Sequence, residues 1–155
     1  MKLKEIKNLE GETILTYDED DERWTWGKYD LSGANLERAN LEGAIWMDVI
    51  LHGANLKESD FYWAVLFNSD FSEANCEGTK FWGASLEGVN FTKANLKNAN
   101  FGKSNLGGSA NVSGANFTDA NLYGTKFDET RYDHKTIFPK NFNPKKNGLV
   151  RIKNK

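Results

Sequence analysis

Apolar residues recur at every fifth position along most of this chain. Counting from Leu31, the series runs through Leu36, Leu41, Trp46, Leu51, Leu56, Phe61, Leu66, Phe71, Cys76, Phe81, Leu86, Phe91, Leu96, Phe101 and Leu106 without a polar member. Two positions ahead of each, the residue is usually small, as at Ala34, Ala39, Ala54, Ser59, Ala74, Thr79 and Ser104. The stretch "GGSANV" then supplies one extra residue, and the phase resumes at Val112, Phe117, Leu122, Phe127 and Tyr132. A spacing of five turns a helix through about 500°, about 140° net, so the apolar residues would wrap a helix instead of striping it. A simple strand alternates with period two. A short unit repeated this often points instead to a solenoid, in which each unit buries its apolar face only against its neighbours.

The units are plainest in "ANLER", "ANLEG", "ANLKE", "ANLKN", "ANFTD" and "ANLYG". This motif, a small residue followed by Asn or Asp, Leu or Phe and two variable positions, resembles that of the pentapeptide repeat family over residues 29–132. The resemblance implies an all-β fold, a right-handed quadrilateral β-helix of about five coils. Each unit would form one side, with the centre and the small residue pointing inward. A prism this narrow has room on each side for one large and one small side chain, which the alternation of Leu/Phe with Ala/Ser supplies.

Four units per coil make residues twenty apart vertical neighbours. One outward column then reads Glu37, Lys57, Glu77, Lys97, with Arg38 above Glu58 beside it. Asn35, Asn55, Asn75 and Asn95 form a ladder that the one-residue insertion continues at Asn116. The open ends of such a helix are sheet edges and need caps. Residues 1–28, with Leu3, Ile6, Leu9, Ile14, Leu15, Trp24 and Trp26, are the expected amino-terminal cap. Residues 133–155 are expected to close the other end, with Ile137, Phe138, Phe142, Leu149 and Val150 over the last inward layer.

At 155 residues the chain is long enough for one domain with a real core. Its longest apolar run, Phe61 to Phe67, is far too short to span a bilayer. The amino terminus has no secretory pattern, so a cytoplasmic protein is expected. The net charge of −2 hides a gradient: residues 1–25 carry −4, residues 26–132 carry −4 and residues 133–155 carry +6. The acidic run Asp18–Glu22 and the basic tail read as solvated ends.

Little here suggests chemistry. Cys76 occupies a centre and reads as a buried structural thiol. His52 faces outward in a column of Ser32, Ser72 and Thr92, and His134 has only Asp133 beside it. No catalytic, cofactor-binding or metal-binding set is expected, and no cofactor. The departures from the outward pattern say more. Those slots are mostly Glu, Lys, Ser, Gly and Asn, yet one neighbourhood holds Ile45, Met47, Ile50, Tyr62, Trp63, Val65, Phe67 and Trp82, with Tyr123 placed two levels below Trp82. An exposed aromatic cluster of this size marks a contact surface. Its cover is the amino-terminal segment, a second copy, or a separate protein partner.

These observations lead to a non-enzymatic protein–protein interaction scaffold whose partner the sequence does not name, and which is free to self-associate. Neither a membrane nor a nucleic acid is the expected partner. Some family members mimic duplex DNA with an acidic rod and occupy a type II topoisomerase. That alternative needs a continuous acidic face, whereas the best charged column here alternates in sign.

Overall fold

The structure is a computed structural model that describes residues 3–18 and 29–153. From Asp30 onward the backbone pairs in parallel with itself one level further along: Asp30 with Ile50, Asn35 with Asn55, Asn40 with Asp60, Ile45 with Val65. The register is twenty residues, so four five-residue units make one level of a β-solenoid. Each unit reaches its neighbour through short bonds, such as Leu31 N–H to Ile50 O at 2.7 Å and Asn55 N–H to Ala34 O at 2.9 Å. No five-residue unit could satisfy these groups alone.

The corners explain the motif. Each unit closes through a bond from the small residue back to the centre before it, as from Ala34 N–H to Leu31 O at 3.0 Å. The third residue of that turn has positive φ, +66° at Gly33 and +56° at Arg38, as a type II turn requires. The asparagine ahead of the centre accepts from the backbone N–H two residues on, as Asn121 does from Tyr123 at 3.1 Å. Its amide also reaches the next level: Asn55 Nδ2 donates to Asn35 Oδ1 at 2.9 Å and Asn95 Nδ2 to Asn75 Oδ1 at 3.0 Å. The motif's Asn therefore caps its own turn and links to its neighbour.

The centres from Leu31 to Phe101 are all buried. Phe61, Phe81, Phe101 and Phe127 form one stack with centroid separations of 5.4, 4.8 and 5.1 Å. A second stack, Phe71, Phe91, Phe117 and Phe138, meets the first edge-on, for instance Phe91 to Phe101 at 88°. Both arrangements suit the ring quadrupole. Hydroxyls at the small positions return their hydrogen bonds to backbone carbonyls, as Ser59 does to Leu56 O at 2.7 Å and Thr79 to the same oxygen at 2.8 Å.

The interruption differs from the sequence reading. Leu106 is not a centre: it is 80% exposed. Phe101 and Val112 are consecutive centres, eleven residues apart where one unit has five, so the excursion adds six residues and not one. It closes through Ala110 N–H to Phe101 O at 2.9 Å, and Asn111 resumes pairing with Ser85. The six extra residues leave and re-enter the solenoid at one corner, so the units after them keep their pairing. Later units consequently sit one side away from their expected places. Asn121, not Asn116, continues the ladder under Asn95 at 3.1 Å, and Asn116 pairs with Asn90. Tyr123 follows Lys97, its carbonyl accepting from Asn98 N–H, and so leaves the Tyr62–Trp82 column. Ser104, read as inward, belongs to the excursion.

The ends are covered by different means. Strand β1 (Leu3–Lys7) and strand β2 (Thr13–Asp18) form an antiparallel hairpin. It joins the first level through Asn40 N–H to Lys7 O and Leu9 N–H to Arg38 O. Ile6 is buried and Ile14 and Leu15 pack on the core, but Leu9 stays 41% exposed; Trp24 and Trp26 lie outside the described residues. Arg38 pairs with Glu10 of the hairpin and not with Glu58. At the far end, strand β3 (Arg131–Tyr132) pairs in parallel with strand β4 (Val150–Arg151). Phe138 stacks on Phe117, Phe142 lies 5.5 Å from Phe127, and Leu149 is buried. Ile137 and Val150, expected over the core, are about half exposed because they occupy the outward slots that pair with Asn116 and Arg131.

Two leucines in the same sequence phase test the excursion. Leu86→Asp buries an unpaired charge and should abolish the cooperative melt, as should Phe101→Asp. Leu106→Asp in dilute protein should leave the melt within about 0.5 kcal/mol of wild type. Calorimetry or circular dichroism of the three variants reads the difference directly.

Candidate functional site

The outward apolar residues gather where two sides of the solenoid meet. Tyr62 and Trp82 are vertical neighbours on one side, with rings 6.4 Å apart at 88°. On the next side Ile45 lies above Val65, and Met47, Phe67 and Glu87 share a column, with Asp48 N–H bonded to Phe67 O and Asn68 N–H to Glu87 O. Ile45, Met47 and Trp63 are 67%, 46% and 51% exposed. Tyr62, Val65, Phe67 and Trp82 are half-buried. All seven expected contact residues therefore face outward, Tyr62, Trp63 and Trp82 at one corner, Ile45 and Val65 on the side that follows it and Met47 and Phe67 at the next turn, and Tyr123 is not among their neighbours.

Trp63 is the corner residue itself, at φ +55°. A bulky side chain in the left-handed region is rare and costs about 1–2 kcal/mol. Its indole lies flat on bare backbone: a β-carbon on Gly83 would fall 2.8 Å from its Cδ2, and one on Gly108 would fall 2.6 Å from its Cζ2. Gly108 belongs to the excursion. Trp63 thus holds the excursion against the solenoid, and the contact tolerates glycine alone at both places.

Sequence reasoning missed that partner. Residues 102–109 fold back over the corner, with Ser104 Oγ 3.5 Å from the Tyr62 hydroxyl. Tyr62, Trp82, Asp60, Ser104, Asn105 and Leu106 enclose a cleft of about 220 Å³. The signal for it was the paired glycine in "LGGSA". Part of the cover sought for the aromatic cluster is this excursion, contributed from the middle of the chain.

The electrostatics of the corner are local. Lys80 Nζ is 3.4 Å from Asp60 Oδ2 and 5.7 Å from the centroid of the Trp82 ring, a cation–π geometry. The Trp82 Nε1–H is buried without a hydrogen-bond partner among the described residues. Below Phe67, Glu87 Oε1 accepts from Asn111 Nδ2 at 2.6 Å while Oε2 is buried and unpartnered. Desolvation holds its carboxyl above the usual glutamate range, against the opposing pull of its own backbone amide, Asn111 and Arg131.

The residues screened for chemistry lie elsewhere. Cys76 is fully buried, and burial pushes its thiol far above the reactive range. His52 Nδ1 lies 3.0 Å from Ser72 Oγ, an exposed contact between successive levels. Among the described residues no group of His, Cys, Asp and Glu could hold a metal ion, and no helix is long and apolar enough to cross a membrane.

The architecture has a family. Eight copies of the pentapeptide repeats pattern match residues 30–66, 69–108 and 109–131, and the chain belongs to the pentapeptide repeat family. Among solved structures it is similar to a pentapeptide repeat protein of the cyanobacterium Cyanothece 51142, at 24% identity and a TM-score of 0.60 over 75% of this chain and 95% of that one. It is also similar to one of the Arabidopsis thaliana thylakoid lumen, at 34% identity and a TM-score of 0.48 over 63% of this chain and 70% of that one. A third, from Nostoc Pcc 7120, is 28% identical with a TM-score of 0.39 over 84% and 91% of the two chains. No curated protein matches the chain. Pentapeptide repeat proteins are generally structural or interaction proteins and not enzymes.

Two variants test this geometry. Gly108→Ala should expel the Trp63 indole from its seat, read as a red shift and stronger quenching of tryptophan fluorescence. Glu87→Gln tests the desolvated carboxyl. Its raised pKa means that the folded state holds the proton longer than the unfolded one, so the stability tied to that proton is lost as pH rises through the folded value. The variant should therefore be more stable than wild type at pH 7, and the gap should close in melts below the ordinary value of 4.5.

Proposed function

We propose that this protein is a non-enzymatic interaction module that binds another protein surface through the corner formed by Ile45, Met47, Tyr62, Trp63, Val65, Phe67 and Trp82. In this reading the right-handed, four-sided prism of about five coils, residues 29–132, is a rigid mount. Residues 1–28 and 133–155 cap it, and the protein works in the cytoplasm. The observation that carries the reading is the exposure of Ile45, Met47 and Trp63 beside one another, at 46–67%, on outward positions the solenoid fills elsewhere with polar residues. Trp63 also has a seat within the chain, on Gly83 and Gly108, but Ile45 and Met47 have no such role in the fold, so they serve something outside it.

Charge supports a protein surface over the DNA-mimic alternative. Cations and carboxylates interleave between levels, as in Lys97–Glu77 at 3.5 Å, Lys93–Glu73 at 3.7 Å and Lys80–Asp60 at 3.4 Å. A decoy for duplex DNA needs a continuous row of one sign. The protein should accordingly leave DNA gyrase supercoiling unchanged at micromolar concentration.

The binding test compares wild type with an Ile45→Ser, Phe67→Ser double variant, immobilised side by side and exposed to soluble protein of the same chain and to lysate. Retention by wild type that falls at least tenfold in the variant, with thermal stability kept within a few degrees, supports the reading. Equal retention by both overturns it.

A further inference from the structure

Leu106 is the most exposed large apolar residue among those described, 80% exposed within the excursion. It stands at the rim of the cleft whose walls are the Tyr62 and Trp82 rings at 88° and whose polar lining is Asp60, Ser104 and Asn105. A projecting apolar side chain and an aromatic-walled recess thus sit side by side on one surface. That is the arrangement a two-fold axis can use, because each copy offers the same knob and the same hole. We propose that the corner surface pairs with a second copy of this chain, each Leu106 entering the Tyr62–Trp82 cleft of its mate. The inference rests on the interaction reading above and names the partner of that same surface.

Size agrees on both counts. A cavity of about 150 Å³ holds a benzene molecule, so about 220 Å³ accommodates the isobutyl group of a leucine. Ile45, Met47, Trp63 and Leu106, at 67%, 46%, 51% and 80% exposure, present apolar area on the order of 500 Å². With the half-buried Tyr62, Val65, Phe67 and Trp82 the surface approaches the roughly 800 Å² per partner of a stable pair. The rim does not oppose pairing. Two of its charged pairs are already matched within each copy, Lys80 with Asp60 at 3.4 Å and Lys103 with Glu129 at 3.2 Å.

The cleft is incomplete alone. Leu106 of the same copy lines its edge yet stays 80% exposed, so it leaves the space between the two rings unfilled. A leucine from the mate would displace water from both rings, and the exchange is reciprocal. This also gives the excursion a purpose that stability does not. Residues 102–109 leave the solenoid at a corner, are held down by Trp63 on Gly108, and carry an apolar side chain outward.

Sedimentation equilibrium of the full chain from about 5 to 500 μM tests the pairing, with wild type, Leu106→Asp and Leu106→Met. The expected result is a monomer–dimer equilibrium in wild type, association at least tenfold weaker in Leu106→Asp, and recovery to within a few-fold in Leu106→Met, with unchanged melts in dilute protein. Wild type that stays monomeric throughout overturns the proposal. So does a dimer that Leu106→Asp leaves intact, which would place the pairing on another face. Either result is separable from failure of the interaction reading: monomeric wild type that still loses a heterologous partner with Ile45→Ser, Phe67→Ser removes only the second copy as occupant.

Discussion

Everything in this molecule depends on the hydrogen bond between one level and the next. A five-residue unit has too few internal partners for its own amides, so each must find the unit twenty residues away. The bond from Leu31 to Ile50 and its equivalents therefore set the period, and the period decides which side chains face inward. The phenylalanine stacks, the asparagine ladder and the column ion pairs are all consequences of that register. None of them could set it alone: exposed ion pairs contribute about 0–1 kcal/mol each, and a stacked ring pair about 0.5–1.5 kcal/mol beyond its burial.

The same constraint governs what the chain does when it departs from the repeat. Extra residues taken up within a side would break the pairing there, so they must leave at a corner. An excursion that leaves after Phe101 and returns at Ala110 costs only the entropy of a short loop, and it restores pairing at Asn111. It also brings residues from late in the chain over a corner built earlier, which a bare solenoid never does. The aromatic corner and its cleft exist because of that return.

Legibility from sequence follows the same line. The centres from Leu31 to Phe101 were readable because the register forces them into phase, and their burial agrees one by one, while the small residues Ala34 and Ala44 near the first level are only partly buried. The outward identity of Ile45, Met47, Trp63 and their neighbours was readable for the same reason. The excursion was not. Eleven residues between centres look like two units with one extra residue, and Leu106 happens to fall in phase, so the sequence pattern alone cannot distinguish a slip from a detour. The error then carried forward, which misplaced Asn116 and Tyr123. Trp63 as a clamp was equally hidden, since its seat is made by glycines twenty and forty-five residues further on. Leu9, Ile137 and Val150 misled because apolar composition near a terminus says nothing of which face the last turns present.

The closure of the excursion onto its own starting point carries an engineering meaning. Because Ala110 N–H is bonded directly to Phe101 O, the two ends of the detour are held together by the solenoid and not by the detour itself. Gly108 must stay under the Trp63 indole, but the length of the segment ahead of it is then a free variable, and loop closure grows by only about 0.6 kcal/mol for each doubling of length. The corner is a ready-made graft port: a foreign peptide spliced between Lys103 and Gly107, with Gly108 kept under Trp63, would be displayed on a rigid pedestal whose register never senses it.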